Sequence, residues 1–118
     1  FLALDQNETI VAYAVVKIGH LSYEADRLVA YGLQLNPLSD AVLAPSVADA
    51  WQGSGVGSAM MQLIKEQLLK FGMQRIFLWG GVQETNIQAV KFYEKHRFTK
   101  LGVFEYKGRN IDMVCCLT

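Results

Sequence analysis

Gln52-Gly53-Ser54-Gly55-Val56-Gly57 stands between an apolar run, residues 41–50, and a run of helical periodicity, residues 60–71. The first turn of a helix leaves about four N–H groups unpaired, and the macrodipole adds roughly half a positive charge there. Glycines let the backbone approach an anion without an intervening Cβ and supply the positive φ that tight turns need. A glycine-rich turn from strand to helix therefore predicts a bound anion such as a phosphate, although the same composition also makes an ordinary turn.

Working outward, residues 1–4 and 10–18 read as a hairpin, the second run being rich in Val and Ile. Ser22 is placed to cap a helix running to about Tyr31, with Leu28 and Val29 on one face and Gly32 at C′. Residues 36–40, Asn-Pro-Leu-Ser-Asp, are turn chemistry. Residues 41–50 are apolar on both faces apart from Ser46 and Asp49, as in a central strand. Pro45 interrupts them, which predicts a bulge or a misplaced strand.

Val56, Met60, Leu63, Ile64, Gln67, Leu68 and Phe71 recur with a period of 3.6, and Gly72 is a natural stop. Residues 75–82 predict a buried strand weakened at its far end by Gly80 and Gly81. Ala89, Val90, Phe92 and Tyr93 lie on a further helix capped by Thr85 or Asn86. Residues 98–106 and 111–117, joined by Lys107-Gly108-Arg109-Asn110, predict a closing hairpin. The pattern is an α/β domain with a mixed sheet.

The 118 residues suffice for one domain and one core. Eleven basic and eleven acidic residues cancel, which argues against a broad nucleic-acid or anionic-membrane surface. No apolar stretch approaches the ~20 residues of a membrane span and no signal peptide is evident, so a cytoplasmic setting is expected. Cys115 and Cys116 are adjacent on a strand-like segment, where a mutual disulfide would be strained; two reduced thiols, one buried, are expected. His20 and His96 lack ligand spacing, and no metal site is expected.

A second motif follows at Asn86-Ile-Gln-Ala-Val-Lys-Phe-Tyr-Glu-Lys-His-Arg-Phe98. Helical spacing aligns Asn86, Ala89, Val90 and Tyr93, so an amide and a phenol can share one site. Taken alone, Phe92 and Tyr93 read equally as core aromatics. The two motifs together resemble the GNAT superfamily of N-acetyltransferases. Its acetyl-CoA motif stands here as Gln52, Gly55 and Gly57, preceded by Val47-Ala48-Asp49. Its second signature stands as Asn86, Ala89, Phe92-Tyr93-Glu94-Lys95 and Phe98. The element order is similar over residues 1–118, with motif-level likeness in 47–58 and 86–98.

The resemblance implies a mixed, mostly antiparallel central sheet flanked by helices, with residues 1–118 as a single N-acetyltransferase domain. It also implies that a strand and two helices of the family have no counterpart before Phe1, so that the domain is N-terminally incomplete. Backbone groups of Val47, Ala48 and Asp49 would pair with the pantetheine arm of acetyl-CoA. The N–H groups of Gln52, Gly53, Ser54, Gly55, Val56, Gly57 and Ser58 would hold its pyrophosphate, with help from the Ser58 hydroxyl. Asn86 would bond the cofactor arm. Tyr93 would sit beside the thioester sulfur and protonate or hydrogen-bond the leaving thiolate, while an N–H near Val47 polarises the carbonyl.

At two positions where related enzymes often carry a glutamate base, this chain has Val42 and Gly81. Proton relay through water is then expected, with Asp40, Asp49 and Glu84 as carboxylates that more naturally solvate or cap. Arg97 replaces the glycine that normally precedes the final Phe. The residues between Gly19 and Asp40 are the expected wall of the acceptor site. The expected partners are acetyl-CoA and an amine, small or protein-borne. Homodimerisation is common in similar proteins, with Trp51 or the closing hairpin as candidate surfaces. Two other readings remain: a catalytically weak acyl-CoA-binding or regulatory module on the same fold, and a phosphate-binding domain of unrelated fold.

Overall fold

The computed structural model describes residues 1–48 and 52–117. Seven strands, β1 (Leu2–Leu4), β2 (Ile10–Ile18), β3 (Asp40–Val47), β4 (Arg75–Leu78), β5 (Val82–Gln83), β6 (Thr99–Glu105) and β7 (Arg109–Cys116), form one sheet. The helices are α1 (Ser22–Ala30), α2 (Val56–Lys70) and α3 (Ile87–Lys95). The pairing of β3 with β4 is parallel and every other pairing is antiparallel. This is the mixed, mostly antiparallel sheet that was expected.

Alternation along the strands divides the core into two faces. Ala41, Leu43, Ile76, Leu78, Met113 and Cys115 pack with Met60, Met61, Ile64 and Leu68 of α2, and Phe92 and Tyr93 of α3 join that layer. Val42, Phe77 and Val114 point the other way, onto Leu28 of α1. Each large aliphatic side chain buried this way contributes about 1.5–3 kcal/mol. The stripe of α2 is turned slightly from the expected one: Met61 is buried, whereas Leu63 and Phe71 stand 47% and 75% exposed. Met61, Ile64 and Leu68 repeat at intervals of three and four and lie over the sheet, leaving Leu63 on the flank.

Several local expectations need correction. Ser22 is the first helical residue of α1, the N-cap is Leu21, and no side chain caps that end. Residues 75–82 are not one strand. Gly80 and Gly81 adopt φ values of 73° and 67°, and the chain breaks there into β4 and β5, which pair with successive parts of β7. The closing turn is shorter than expected, with β7 already begun at Arg109. Asn110 Nδ2 holds this turn by donating to the carbonyls of Tyr106 and Gly108, at 2.8 and 3.1 Å.

Pro45 causes neither bulge nor break. It faces Ala14 in an uninterrupted register between β2 and β3. Ala14 exchanges hydrogen bonds with Phe1 on its other side, and Ala48 N–H donates to Val11 O, so Ala14 and Pro45 form a non-hydrogen-bonded pair. The missing N–H of Pro45 therefore points away from β2, toward the side where β4 would continue. There β4 stops: the last rung is Trp79 N–H to Leu43 O at 2.8 Å, and β3 runs on beyond it to Val47. Beyond Leu43 the two parallel strands splay and open a gap in the sheet.

Candidate active site

The splay borders a cleft of 370 Å³ between the end of β3, the start of α2 and the face of α3. Pro45, Val47, Gly55, Ser58, Asn86 and Tyr93 are among its walls, so both sequence motifs meet in one cavity. Val47 shares the strand parity of Leu43, so its N–H and C=O turn toward the cleft, and the Gln52 amide donates to that C=O at 3.2 Å. Ala48 differs, because its N–H is spent on Val11. Asp49 and Trp51 lie outside the described residues.

The glycines of the turn have separate physical jobs. Gly53 and Gly55 have φ of 79° and 92°, in the left-handed region that L side chains avoid, and Gly55 is the N-cap of α2. Gly57 is helical and is there for space: a Cβ would come within 3.3 Å of Phe92 Cε1 and 3.4 Å of Val47 Cγ2. The helical ladder begins with Ala59 N–H donating to Gly55 O at 3.0 Å, so the N–H groups of Gly55 to Ser58 precede it. Val56 N–H has a 3.4 Å contact with Ser54 Oγ. Such an end suits a phosphate.

Asn86 caps α3 as expected, its Oδ1 accepting from Ala89 N–H at 3.2 Å, and the residue is part of the cleft wall. Tyr93 is wedged between Phe92 and Phe98, with ring centroids 5.6 and 5.4 Å away. Burial pushes its pKa up to about 12. Among the described residues its hydroxyl has no hydrogen-bond partner, although the ring lines the cleft. A neutral phenol so placed can donate a proton but is a poor base.

Of the carboxylates considered from sequence, the two that lie within the described residues, Asp40 and Glu84, are not brought to this cavity. Asp40, at the opposite end of β3, accepts from Arg75 Nε and Nη2 at 2.8 Å each and lies 3.0 Å from His20 Nε2. Burial alone would raise its pKa, but Arg75, the Asn36 N–H and His20 together hold it below the ordinary value. Glu84 pairs with Arg109 at 3.4 Å on the surface. Val42 is sealed in the α1-side core, and a Cβ on Gly81 would meet Ile111 O at 2.6 Å, so neither position can present an acid.

Sequence reasoning missed two polar features near the splay. Glu24 of α1 is 1% exposed, and its Oε1 accepts from Gly80 N–H at 2.8 Å. Arg27 donates to both oxygens of buried Asp112 at 2.9 and 3.0 Å, and Tyr31 OH donates to the same carboxylate at 2.7 Å. An acidic residue amid the polar positions of a short helix carries no signal of burial; only the packing of α1 on the sheet reveals it. Among the described residues no group of His, Cys, Asp and Glu could hold a metal. Both cysteines are free, Cys115 buried and Cys116 exposed, and no described helix is long and apolar enough to cross a membrane.

This architecture is shared with solved structures. A GCN5-related N-acetyltransferase from Kribbella flavida is 21% identical, with a TM-score of 0.75 over 98% of this chain and 65% of that one. A GNAT-family acetyltransferase from Staphylococcus aureus Mu50 is 15% identical, with a TM-score of 0.71 over 99% and 66%. The aminoglycoside acetyltransferase AAC(6')-Ib, solved with coenzyme A and kanamycin, is 21% identical, with a TM-score of 0.68 over 95% and 63%. These likenesses show the fold, and the chain spans about two-thirds of the length of each of these structures. No curated protein sequence matches the chain significantly. The sequence model of the Acetyltransferase (GNAT) family matches residues 1–98, and the chain belongs to that family.

Proposed function

We propose that residues 1–118 act as one N-acetyltransferase domain that moves the acetyl group of acetyl-CoA to a primary amine by direct attack in a ternary complex. The observation that carries this reading is the single cleft that has the open helix end of Gly55 to Ser58 and the unpartnered Tyr93 hydroxyl among its walls. The distribution of groups suits an acyl-CoA: donors for a pyrophosphate at the helix end, an outward-facing strand edge at Val47 for the pantetheine amides, and a phenol for the sulfur.

In this reading the N–H groups from Gln52 to Ser58 bind the pyrophosphate, the Ser58 hydroxyl assists, and the Asn86 amide bonds the arm. Val47 supplies an added-strand hydrogen bond and its N–H polarises the thioester carbonyl. The amine nitrogen attacks the carbonyl carbon, the C–S bond breaks, and Tyr93 OH donates to the thiolate as it leaves. Tyr93 is reprotonated from the nitrogen of the new amide. The acceptor attacks as the neutral amine, its ammonium proton having passed to solvent water beforehand.

Incubation with acetyl-CoA and a panel of primary amines, followed by thiol release and mass spectrometry, tests the proposal. Amine-dependent thiol release with an N-acetylated product is expected. Tight acyl-CoA binding with no transfer to any amine would instead favour a binding module on this fold.

A further inference from the structure

We propose that His96 is a positioning residue for the pyrophosphate of acyl-CoA: its Nε2 fixes the Ser58 hydroxyl so that the hydroxyl hydrogen is aimed into the cleft. The inference rests on the acyl-CoA reading above and adds to it a residue that lies outside the cleft wall.

Ser58 stands in the first turn of α2, where its N–H precedes the helical ladder, and it is one of the residues that line the cleft. Among the described residues its hydroxyl has a single partner, His96 Nε2 at 2.9 Å. His96 is the C-cap of α3 and is not itself among the cleft-lining residues. Its contact with the cleft runs through Ser58.

The bond can run in two senses, and they treat an anion oppositely. If the hydroxyl donates to an unprotonated Nε2, Oγ turns only lone pairs toward the cleft, and a phosphate oxygen is repelled. If Nε2–H donates to Oγ, the hydroxyl hydrogen is left for the ligand, and Ser58 offers both its N–H and its O–H to the same anion. A bound pyrophosphate selects the second sense, in which the chain from Nε2–H through Oγ–H to phosphate polarises along its length. The imidazolium admits only this sense, because both ring nitrogens then carry hydrogen.

The surroundings hold the ring in place and supply no competing anion. The ring packs on Phe92 with centroids 4.7 Å apart, and the His96 carbonyl accepts from Lys65 Nζ of α2 and from Cys115 Sγ of β7. The charged and titratable groups facing His96 are thus Lys65, Cys115 and, on its own helix, Lys95, which also lines the cleft. Among the described residues no carboxylate pairs with His96 or with either lysine. Burial and then the two lysines hold the imidazole below its ordinary pKa in the protein without ligand. A pyrophosphate beyond Ser58 acts in the opposite direction, so binding takes up protons. Affinity is then flat above the bound-state pKa, rises as pH falls through it, and levels off below the ligand-free pKa.

His96→Gln keeps an N–H for Oγ but cannot titrate, His96→Leu removes the donor, and Ser58→Ala removes the relay. In calorimetric titrations with CoA at neutral pH, His96→Leu and Ser58→Ala should each weaken binding about 10-fold, and Gln should recover most of that loss. Between about pH 8 and pH 5 the wild type should gain at least about threefold in affinity over His96→Gln. Proton uptake, measured in buffers of different ionisation enthalpy, should be greater for the wild type than for the Gln and Ala variants, a difference that a purely structural His96 would not produce. The 3′-phosphate of CoA titrates near about pH 6 as well, but equally with every variant. Should His96→Leu disturb folding, the Gln and Ala variants carry the test. Wild-type affinity in Ser58→Ala, or equal pH dependence and proton uptake in the wild type and His96→Gln, would overturn the assignment while leaving acyl-CoA recognition intact. Absence of CoA binding by the wild type would overturn both.

Discussion

His96 Nε2 lies 2.9 Å from Ser58 Oγ, so the end of α3 is tied to the first turn of α2 at the edge of the cleft. The ring packs on Phe92, with centroids 4.7 Å apart, and the His96 carbonyl accepts from Lys65 Nζ and, at 3.6 Å, from Cys115 Sγ. Burial, then Lys65 and Lys95, hold its pKa below the ordinary 6.5. The unfolded chain therefore takes up this proton first. The stabilisation is complete above about pH 6.5 and is lost as pH falls through that value toward the folded pKa. Denaturant titrations between about pH 8 and pH 5 should show the decline, and His96→Gln should flatten it; an unchanged slope in the variant would mean that another group titrates.

Tyr93→Phe should leave acetyl-CoA affinity nearly intact, because the ring contacts with Phe92 and Phe98 survive, while turnover falls by about 10²-fold. With its pKa at about 12, Tyr93 remains protonated through the neutral range and should add no alkaline limb there. Steady-state kinetics beside calorimetry separates the two effects. Equal turnover would make Tyr93 a packing residue.

The glycine turn offers two distinguishable substitutions. Gly55→Val forces a β-branched residue to φ 92° at the N-cap of α2 and should abolish binding of acetyl-CoA. Gly57→Leu should lower stability by about 1–3 kcal/mol, since its side chain must displace Phe92 or Val47. Thermal melts with and without ligand report both, and retained affinity in the Gly55 variant would contradict the pyrophosphate loop.

Arg97 has φ 69°, and Phe98 N–H donates to Tyr93 O at 3.0 Å, so α3 ends in a left-handed C′ residue even without glycine. Arg97→Gly should stabilise the protein by about 0.5–1 kcal/mol, the relief of the left-handed strain being partly offset by a more flexible unfolded chain. A melting temperature that fails to rise would show that the Arg side chain makes up the difference.

The elements were legible where local chemistry decides them. Asn86 capping α3, Gly55 and Gly72 bounding α2, and the apolar period between them are written in neighbouring residues. What escaped is settled by tertiary pairing. Pro45 looked like a defect in a central strand because its neighbours do not reveal that β4 ends at Leu78; once it does, the missing N–H faces the splay at no cost to the ladder. Gly80 and Gly81 weakened the predicted strand, but not that its two halves would share β7. Glu24 is the clearest case, since its burial depends on Gly80, 56 residues away. The meeting of the two motifs was anticipated because each is local, whereas the burial of Glu24 is set by packing between elements far apart in sequence.

The most direct test of acyl-CoA recognition is calorimetric titration of the wild-type protein with acetyl-CoA, CoA and ATP. Micromolar binding of acetyl-CoA and CoA, with ATP at least about tenfold weaker, is predicted, because Val47 and Asn86 require a pantetheine arm that ATP lacks. Failure of both CoA species to bind, or ATP binding as tightly as they do, would contradict the account and reduce the turn before α2 to a general phosphate site or a structural bend.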